Sequence, residues 1–273
     1  MTYSTNGGTS WTRGTQQSGY QGPFRTLSNG AFIRYLQAQN DTNSVTTYVG
    51  IWGINVNPAL TTVGAIANMG IHSYGLTGDY MAVASNGTGW VGWINTADDG
   101  TSKQFGGTSA TTCAFYANLT TNNSPISATW LPATSKYYMI TETGYVYSTT
   151  AYNTAVTSLG QVSGFSGSYA SVTIATIGTY LVVSNGQITR YSTDGINWTA
   201  ATLPTTTLFG GAGVAGQGAA TDGSKLVNLA TSNQVVVTTN GTSYTTMPYP
   251  DGLCYQATVN GNNFCCVSLN CYV

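Results

Sequence analysis

The chain alternates short apolar stretches with turns rich in Gly, Asn, Ser and Thr, and no stretch keeps a helical period of 3.6 residues. Runs of Val, Ile, Tyr and Thr of strand length recur, and many are bounded by Asn-Gly or Asp-Gly pairs. This pattern is typical of strands joined by tight hairpins. The sequence therefore predicts an all-β protein.

The strands recur as a unit, which is clearest in GTYLVVSNGQITRYSTDGINW at residues 178–198. An apolar strand, an Asn-Gly hairpin, a further strand and an Asp-Gly turn follow one another and lead to a third strand at Trp198. Comparable units place the second strand of six blades near residues 31, 79, 136, 179, 224 and 263. Repeats of this length predict the four-stranded blades of a β-propeller.

The last unit stops at Val273, one strand short, and the first residues of the chain supply what it lacks. The string YSTNGGTSWTRG at 3–14 resembles YSTDGINWTAAT at 191–202. We therefore predict one propeller domain over residues 1–273, with six blades and with the amino-terminal strand paired into the carboxy-terminal blade. Such pairing covers the blade faces that an open ring leaves unpacked. Seven blades remain an alternative, which requires a degenerate unit within residues 104–134.

Composition narrows the classes of partner. Charged residues make up 5% of the chain and the formal net charge is −1, whereas roughly 25% charged residues is usual. Seven scattered Lys and Arg residues form no basic stripe, so we expect no nucleic acid partner. Neither a long apolar run nor a signal peptide is evident, so we expect no membrane insertion and no signal-directed export.

Candidate chemistry is sparse. The neighbours Cys265 and Cys266 would point to opposite sides of a strand, which argues against a metal or redox pair, and disulfide formation stays open. The single histidine, His72, lies on an apolar stretch, and the single glutamate, Glu142, lies in a predicted hairpin turn. Most aspartates adjoin Gly or Asn, as turn residues do. We predict no metal, no cofactor and no catalytic residues.

The string STNGGTSW at 4–11 resembles the Asp-box, Ser-x-Asp-x-Gly-x-Thr-Trp, with Asn6 in place of Asp and Ser10 in place of Thr. A shorter version stands at 192–198 and a weaker one at 238–244. The resemblance to sialidase-like propellers implies a structural turn between the third and fourth strands of a blade, with the Asx side chain bonded to turn amides and the aromatic ring packed between blades. The residues assigned to these turns are Ser4, Asn6, Gly8, Trp11, Ser192, Asp194, Gly195, Trp198, Asn240, Gly241 and Tyr244.

The same resemblance raises a hydrolase as the alternative function. Sialidases use three arginines, a Tyr-Glu nucleophile pair and an aspartic acid, and PFRTL at 23–27 faintly resembles their first arginine motif, which makes Arg25 a candidate. Arg190 falls in a third strand, away from a central position. Because a glycosidase normally needs two carboxylates about 5 to 10 Å apart, the hairpin position of Glu142 favours a protein that is not an enzyme.

Recognition suits the residues that remain, six Trp and nineteen Tyr among many Asn, Thr and Ser. These side chains combine flat apolar area with neutral hydrogen-bonding groups. The loops between blades and the hairpins between second and third strands share one face of a propeller, and loops on a rigid scaffold are common binding sites. The candidate ligand-binding residues are Arg25, Asp41, Phe105, Tyr116 and Trp130.

The Asp-box resemblance, the very low charge and the Thr, Ser, Asn and Gly bias are together similar to bacteriophage virion proteins, either tail-associated or capsid-decorating. The resemblance implies a protein made in the host cytoplasm without a signal peptide and carried on the extracellular particle. Its expected partners are other virion proteins, a host-surface glycan, or both. A purely structural role, an oligomer and a secreted cellular lectin also stay open.

Overall fold

The prediction of an all-β protein is confirmed in the computed structural model, which contains 24 strands and one turn of 3₁₀ helix at Pro132–Thr134 in the part of the chain that it describes. Side chains are described for most of these residues between 82 and 247. The described residues are 2–3, 12–13, 20–26, 32–39, 47–54, 63–72, 81–95, 102–108, 114–119, 124–165, 172–185, 188–204, 219–230, 234–248, 254–260 and 263–268.

Twenty strands form five antiparallel sheets, each made of four consecutive strands. Blade 1 contains β3 Tyr20–Thr26, β4 Phe32–Gln39, β5 Thr47–Ile54 and β6 Val63–His72. Blade 2 contains β7 Met81–Ser85, β8 Trp90–Asn95, β9 Ser102–Gly107 and β10 Ala114–Leu119. Blade 3 contains β11 Pro125–Leu131, β12 Lys136–Thr141, β13 Tyr145–Thr149 and β14 Thr157–Gln161. Blade 4 contains β15 Thr173–Ile177, β16 Tyr180–Ser184, β17 Thr189–Ser192 and β18 Thr199–Ala200. Blade 5 contains β19 Ala219–Thr221, β20 Leu226–Ala230, β21 Gln234–Thr238 and β22 Thr245–Pro248.

Each end of the chain forms a two-stranded sheet. At the amino end β1 Thr2–Tyr3 pairs with β2 Thr12–Arg13, and at the carboxy end β23 Cys254–Asn260 pairs with β24 Asn263–Ser268. The two hairpins together have the strand number of one further blade. Registers are defined within each hairpin, and none joins the two among the described strands. The sixth blade and its closure therefore stay a prediction.

The first strands of successive sheets contact one another, β7 with β11, β11 with β15, β15 with β19 and β19 with β23. This places the first strands on the inner side of the ring and the fourth strands outside. Because neighbouring strands run antiparallel, the loops divide between two faces. We call the upper face the one with the loops from second to third strands and from blade to blade. The lower face carries the loops from first to second and from third to fourth strands.

One sequence-based expectation about the blades is wrong. The strand that begins at Met81 is the first of its blade, since it packs against β11, whereas the repeat predicts a second strand there. The turn at Ser85–Gly89 accordingly joins first and second strands. Within residues 104–134 the described strands β9, β10 and β11 belong to blades 2 and 3, so no separate unit for a seventh blade is found among them.

The core lies between blades, so the middle strands are buried on both sides. Ile174 of blade 4 and Ile140 and Val146 of blade 3 share one apolar cluster, while Val182 on the opposite side of blade 4 packs with Leu226 and Val236 of blade 5. All five residues of β15 are buried. A strand buried on both faces reads as a continuous apolar run rather than as an alternation.

Hydroxyl groups connect the inner strands across the seams between blades. The Thr129 and Thr176 hydroxyls lie 2.8 Å apart, and the Thr176 hydroxyl donates to the Trp130 carbonyl at 3.0 Å. The Thr221 hydroxyl of blade 5 in turn donates to the Thr176 carbonyl at 2.9 Å. These bonds satisfy backbone carbonyls of neighbouring sheets without any charge. The threonine-rich, charge-poor composition is thus partly a property of the seams.

Candidate functional site

The turn at 192–198 on the lower face is organised by the side chain of Asp194. Its Oδ1 accepts hydrogen bonds from the Ile196 and Asn197 amides, both at 2.8 Å, and from the Ser192 hydroxyl at 2.8 Å. The Ser192 hydroxyl oxygen accepts the Gly195 amide at 2.9 Å, and the Trp198 indole donates to the Gly195 carbonyl at 3.1 Å. The carboxylate therefore closes its own turn, as an Asx turn does.

The turn at 238–244 repeats this pattern one blade later. Asn240 Oδ1 accepts the Thr242 and Ser243 amides at 2.9 and 3.0 Å, and the Thr238 hydroxyl donates to it at 3.0 Å. The Thr238 hydroxyl oxygen accepts the Gly241 amide at 2.9 Å. A neutral amide thus replaces the carboxylate, which shows that the charge of Asp194 is dispensable for the shape of the turn.

Each of these turns also contacts the blade before it. Gly195 and Gly241 have φ values of +77° and +76°, a region that favours glycine, and their α-carbons lie close to Tyr138 of blade 3 and Ile177 of blade 4. Trp198 packs against the core shared by blades 3 and 4, and Tyr244 is buried in the core shared by blades 4 and 5. These two lower turns therefore hold neighbouring blades together.

At its lower turn blade 3 has Thr149, Thr150 and Ala151 where blades 4 and 5 have the Ser/Thr-x-Asx sequence, and other contacts join this turn to blade 2. Gln104 of β9, fully buried at 0% exposure, donates from Nε2 to the Tyr152 and Thr154 carbonyls at 2.7 and 2.8 Å. Its Oε1 accepts the Trp93 indole at 3.1 Å. The Thr149 hydroxyl also donates to the Thr154 carbonyl, at 3.0 Å. The amide of Gln104 thus joins blade 2 to the lower turn of blade 3.

The lower-face carboxylates are held in their charged form. The Asn197 amide, followed by the Ile196 amide and the Asn197 and Ser192 side chains, holds the pKa of Asp194 well below its usual range despite partial burial. At Asp222, partial burial opposes ionisation, but hydrogen bonds from Ser224 and Lys225 outweigh it and lower the pKa. Neither group is therefore suited to carry a proton in catalysis near neutral pH.

On the upper face, two loops of blade 3 pack against each other. The Val162 amide donates to the Gly144 carbonyl at 3.0 Å and the Gln161 side chain donates to the Thr143 carbonyl at 2.8 Å. The buried ring of Phe165 lies directly over Gly144, whose φ is +83°. The hairpin at 142–144 and the connection at 162–165 are thus one local unit.

Arg190 of blade 4 lies against this unit at the upper end of β17. Its Nε donates to the Ser163 carbonyl and its Nη1 to the Thr189 carbonyl, both at 3.3 Å. A β-carbon on the exposed Gly164 would come within 3.1 Å of Nη2, so the glycine lets the guanidinium lie close to the backbone of this connection. No carboxylate pairs with Arg190 among the residues described. The guanidinium is therefore a positive charge held in place by neutral carbonyls.

The structure does not bring the predicted ligand-binding residues together. Phe105, expected in a loop, lies in β9 with 0% exposure and packs edge-to-face on Trp90 at 5.5 Å, so its assignment to a binding loop is wrong. Trp130 is half-buried next to the lower end of β11 and its ring lies 4.5 Å from that of Tyr137. It is therefore at the face opposite to the one predicted.

Tyr116 is 38% exposed but lies within β10, on the outer rim rather than in an upper loop. A register shift between Phe115 and Ala117 leaves both Phe115 and Tyr116 outward and exposed. Arg25 belongs to β3, where only the backbone is described, next to the lower end of the strand. Asp41 and the box residues Ser4, Asn6, Gly8 and Trp11 lie outside the described residues.

Within the described ranges, no group of three His, Cys, Asp or Glu side chains is placed to hold a metal ion. The described carboxylates also lie apart, because Glu142 belongs to an upper hairpin whereas Asp194 and Asp222 belong to lower turns. In the same part of the chain, no helix is long and apolar enough to cross a membrane.

Two residues that organise the described faces are not among the sequence-based candidates. Gln104 carries no local signal, since a lone glutamine between Lys103 and Phe105 resembles any strand position. Arg190 is placed by its sequence in a third strand, and only the fold shows that its guanidinium donates to the Ser163 carbonyl of the connection that follows blade 3. The sequence shows only a lone arginine after an Asn-Gly hairpin, which does not indicate which groups its side chain contacts.

No protein-family model matches the chain, and no curated protein matches it. Solved structures match its fold. U3-55K is 10% identical with a TM-score of 0.57, and the match covers 92% of this chain and 69% of that one. A functionally unknown protein from Desulfotomaculum acetoxidans DSM 771 is 10% identical with a TM-score of 0.55, over 85% and 72% of the two chains. YCF48 bound to D1 peptide is 12% identical with a TM-score of 0.50, over 85% and 78%. These similarities support the β-propeller fold.

Proposed function

We propose that this propeller is a non-enzymatic recognition protein of a bacteriophage particle, located at the tail or capsid surface. It binds another virion protein or a host-surface glycan through its upper face. The observation that carries the proposal is the placement of the described ionisable groups. Asp194 and Asp222 are used in lower turns, and the described upper loops offer backbone, neutral polar groups, the lone Glu142 carboxylate and one oriented guanidinium.

The rigidity of the scaffold supports recognition. Successive blades are joined by apolar cores and by hydroxyl–carbonyl bonds at the inner seams, so the upper loops are held by a stiff ring. Preorganised loops lose little conformational entropy when a partner binds. YCF48, which shares the fold, is known in a complex with a D1 peptide. A peptide or protein partner is thus compatible with this architecture.

The alternative is a sialidase-like hydrolase. A glycosidase requires two carboxylates on either side of the scissile bond, whereas the described Glu142 and Asp194 belong to opposite faces. Asp41 and the side chain of Arg25 lie outside the described residues and could belong to such a site only with partners from the same region. The placement of Glu142 and Asp194 therefore favours recognition.

Three measurements on the isolated protein test the proposal. A glycan array and an interaction screen against purified virion proteins should yield a partner that binds saturably. A fluorogenic sialoside should remain intact. Turnover of the sialoside that is abolished by Arg25→Ala would establish the hydrolase instead, and binding to neither partner class would contradict recognition.

A further inference from the structure

We infer that Arg190, together with the connection at 162–165, forms a docking site for a carboxylate of a partner protein. The inference rests on the proposed recognition function and names the chemistry of its partner. The carboxylate is an Asp or Glu side chain or a chain terminus. Its position at the junction of blades 3 and 4 on the upper face is distinct from every residue that the sequence suggests for ligand binding.

The guanidinium of Arg190 is held in a fixed orientation. Nε donates to the Ser163 carbonyl and one Nη1 proton to the Thr189 carbonyl. Among the described residues, the second Nη1 proton and both Nη2 protons have no acceptor and are left for a ligand. These protons lie along the edge of the planar fork that binds a carboxylate with two parallel hydrogen bonds. Both bonds in use fix the side chain without neutralising it, because backbone carbonyls carry no net charge.

Gly164, with φ of +77°, borders Nη2, and any side chain there would approach that nitrogen to 3.1 Å at the β-carbon. Both Ser163 and Gly164 are exposed, so the surface beside the guanidinium carries little side-chain bulk. The connection is held in place through the bond from Val162 to Gly144 and the Phe165 ring over Gly144. A small anionic group could therefore reach the guanidinium from the side of these exposed residues.

The surroundings of Arg190 favour a protein carboxylate over an acidic sugar. A sugar ring is best held when an exposed aromatic face lies beside the charged anchor. Two of the described rings near Arg190 already make other contacts. Phe165 is buried over Gly144, and the Trp198 indole donates to the Gly195 carbonyl. Exposed Ser163 and Gln161 instead offer the small polar surface along which an extended peptide can lie.

The experiment uses the full chain labelled with ¹⁵N-arginine and follows the Nε–Hε signals of its four arginines. The probes are N-acetylglycine for a chain terminus and N-acetylaspartate α-amide for an acidic side chain, with N-acetylglycinamide as the uncharged control. The Arg190 signal, assigned by its loss in R190K, should shift saturably at millimolar concentration with at least one of the two acids. The amide should leave it unchanged. Which acid binds more tightly identifies the source of the carboxylate.

Variants make the site-specific test. In uniformly ¹⁵N-labelled protein, where the backbone amide of Ser163 reports on the site, Arg190→Gln should weaken acid binding by at least about tenfold, as expected for a charged hydrogen bond. Arg190→Lys, which keeps the charge but lacks the fork, should weaken it several-fold. Lys225→Gln removes the same charge from the lower face and should bind as wild type. Thermal unfolding of each variant checks that the fold persists.

Three outcomes would overturn the inference: no shift with either acid, equal binding by R190Q, or tighter binding of N-acetylneuraminic acid than of both peptide probes. The last result would assign the site to a glycan. A partner found by the interaction screen that binds wild type and R190Q equally would leave the recognition function intact and remove only this site. Failure of the screen itself would contradict the function independently.

Discussion

The Gln104 side chain of blade 2 donates a 2.7 Å hydrogen bond to the Tyr152 carbonyl of blade 3, 48 residues further along the chain. With the bonds to Thr154 and from Trp93, the buried amide joins β9 to the lower turn of blade 3, which lacks the Ser/Thr-x-Asx sequence of blades 4 and 5. A single neutral side chain therefore replaces the fastening that Asp194 and Asn240 help to provide elsewhere.

Replacing Gln104 with leucine should lower the free energy of unfolding by about 2–4 kcal/mol, because the buried Trp93 indole loses its partner and the part-buried Tyr152 and Thr154 carbonyls each lose a hydrogen bond. Gln161→Leu is the matched control, since its exposed amide makes one bond, to the Thr143 carbonyl. We expect the control to change stability by less than about 1 kcal/mol. Chemical denaturation of both variants makes the comparison, and equal effects would show that the Gln104 bonds do not hold the seam.

The acid dependence of stability should report on Asp194. Its pKa is lowered in the folded protein, so its contribution is complete above the unfolded pKa of about 3.9 and is lost as pH falls from there toward the folded value. Asp194→Asn should be nearly neutral at low pH and should remove that part of the acid sensitivity. The measurement is the difference in free energy of unfolding between wild type and variant from pH 6 to pH 2.5. A difference that stays constant with pH would contradict the turn's preference for the carboxylate.

Gly241→Ala should lower the free energy of unfolding through both backbone strain and a steric clash, and a second variant separates the two effects. Residue 241 has a positive φ, and a β-carbon there would lie 2.8 Å from Ile177 of blade 4. Gly223 has φ of +87°, but a β-carbon at that position would meet nothing within 4 Å, so Gly223→Ala carries only the backbone strain. We expect about 1 kcal/mol for Gly223→Ala and about 2–4 kcal/mol for Gly241→Ala. Equal losses in thermal unfolding would show that blade 4 yields to the added methyl group.

Alkaline stability should depend on Tyr137. Burial raises the pKa of this phenol to about 12, with a backbone bond at Asn86 acting weakly in the other direction. A raised folded pKa gives stability that is complete below the unfolded value of about 10 and is lost as pH rises through 12. Tyr137→Phe should therefore lose less stability than wild type between pH 9 and pH 11.5. The check is urea denaturation at each pH, and parallel curves would contradict it.

Strand pairing and turn chemistry were readable from the sequence because both are local. The Asn-Gly and Asp-Gly pairs that the structure describes, at 86–87, 194–195, 222–223 and 240–241, lie in turns, and the strands predicted near 136, 179 and 224 begin at Lys136, Tyr180 and Leu226. The unit near 79 was misplaced by one strand, because the Ser-Asn-Gly signal at 85–87 is the same as the one at 184–186. The residues of a turn do not determine whether a hairpin joins the first and second strands of a blade or the second and third. That is decided by which strand packs on the inner side of the ring.

The candidate site was harder to predict than the fold, because its residues become neighbours only through packing between blades. Phe105 sits in a stretch, SKQFGG, that lacks alternation because five of its six residues are buried, so it resembles a loop rich in small residues. The orientation of Arg190 depends on carbonyls at Ser163 and Thr189, 27 residues and one residue away. A backbone carbonyl has no sequence signature, so such a contact is invisible before the chain is folded.

The lower turns contact the blade that precedes them, as Gly195 and Trp198 do with blade 3 and Gly241 with blade 4. This gives the ring a direction. Tandem duplication of a whole blade brings a matching joint to the new boundary, whereas exchange with a foreign module disturbs two joints at once. The architecture thus favours growth by copying its own parts, and a designer who wishes to enlarge the ring should duplicate rather than graft.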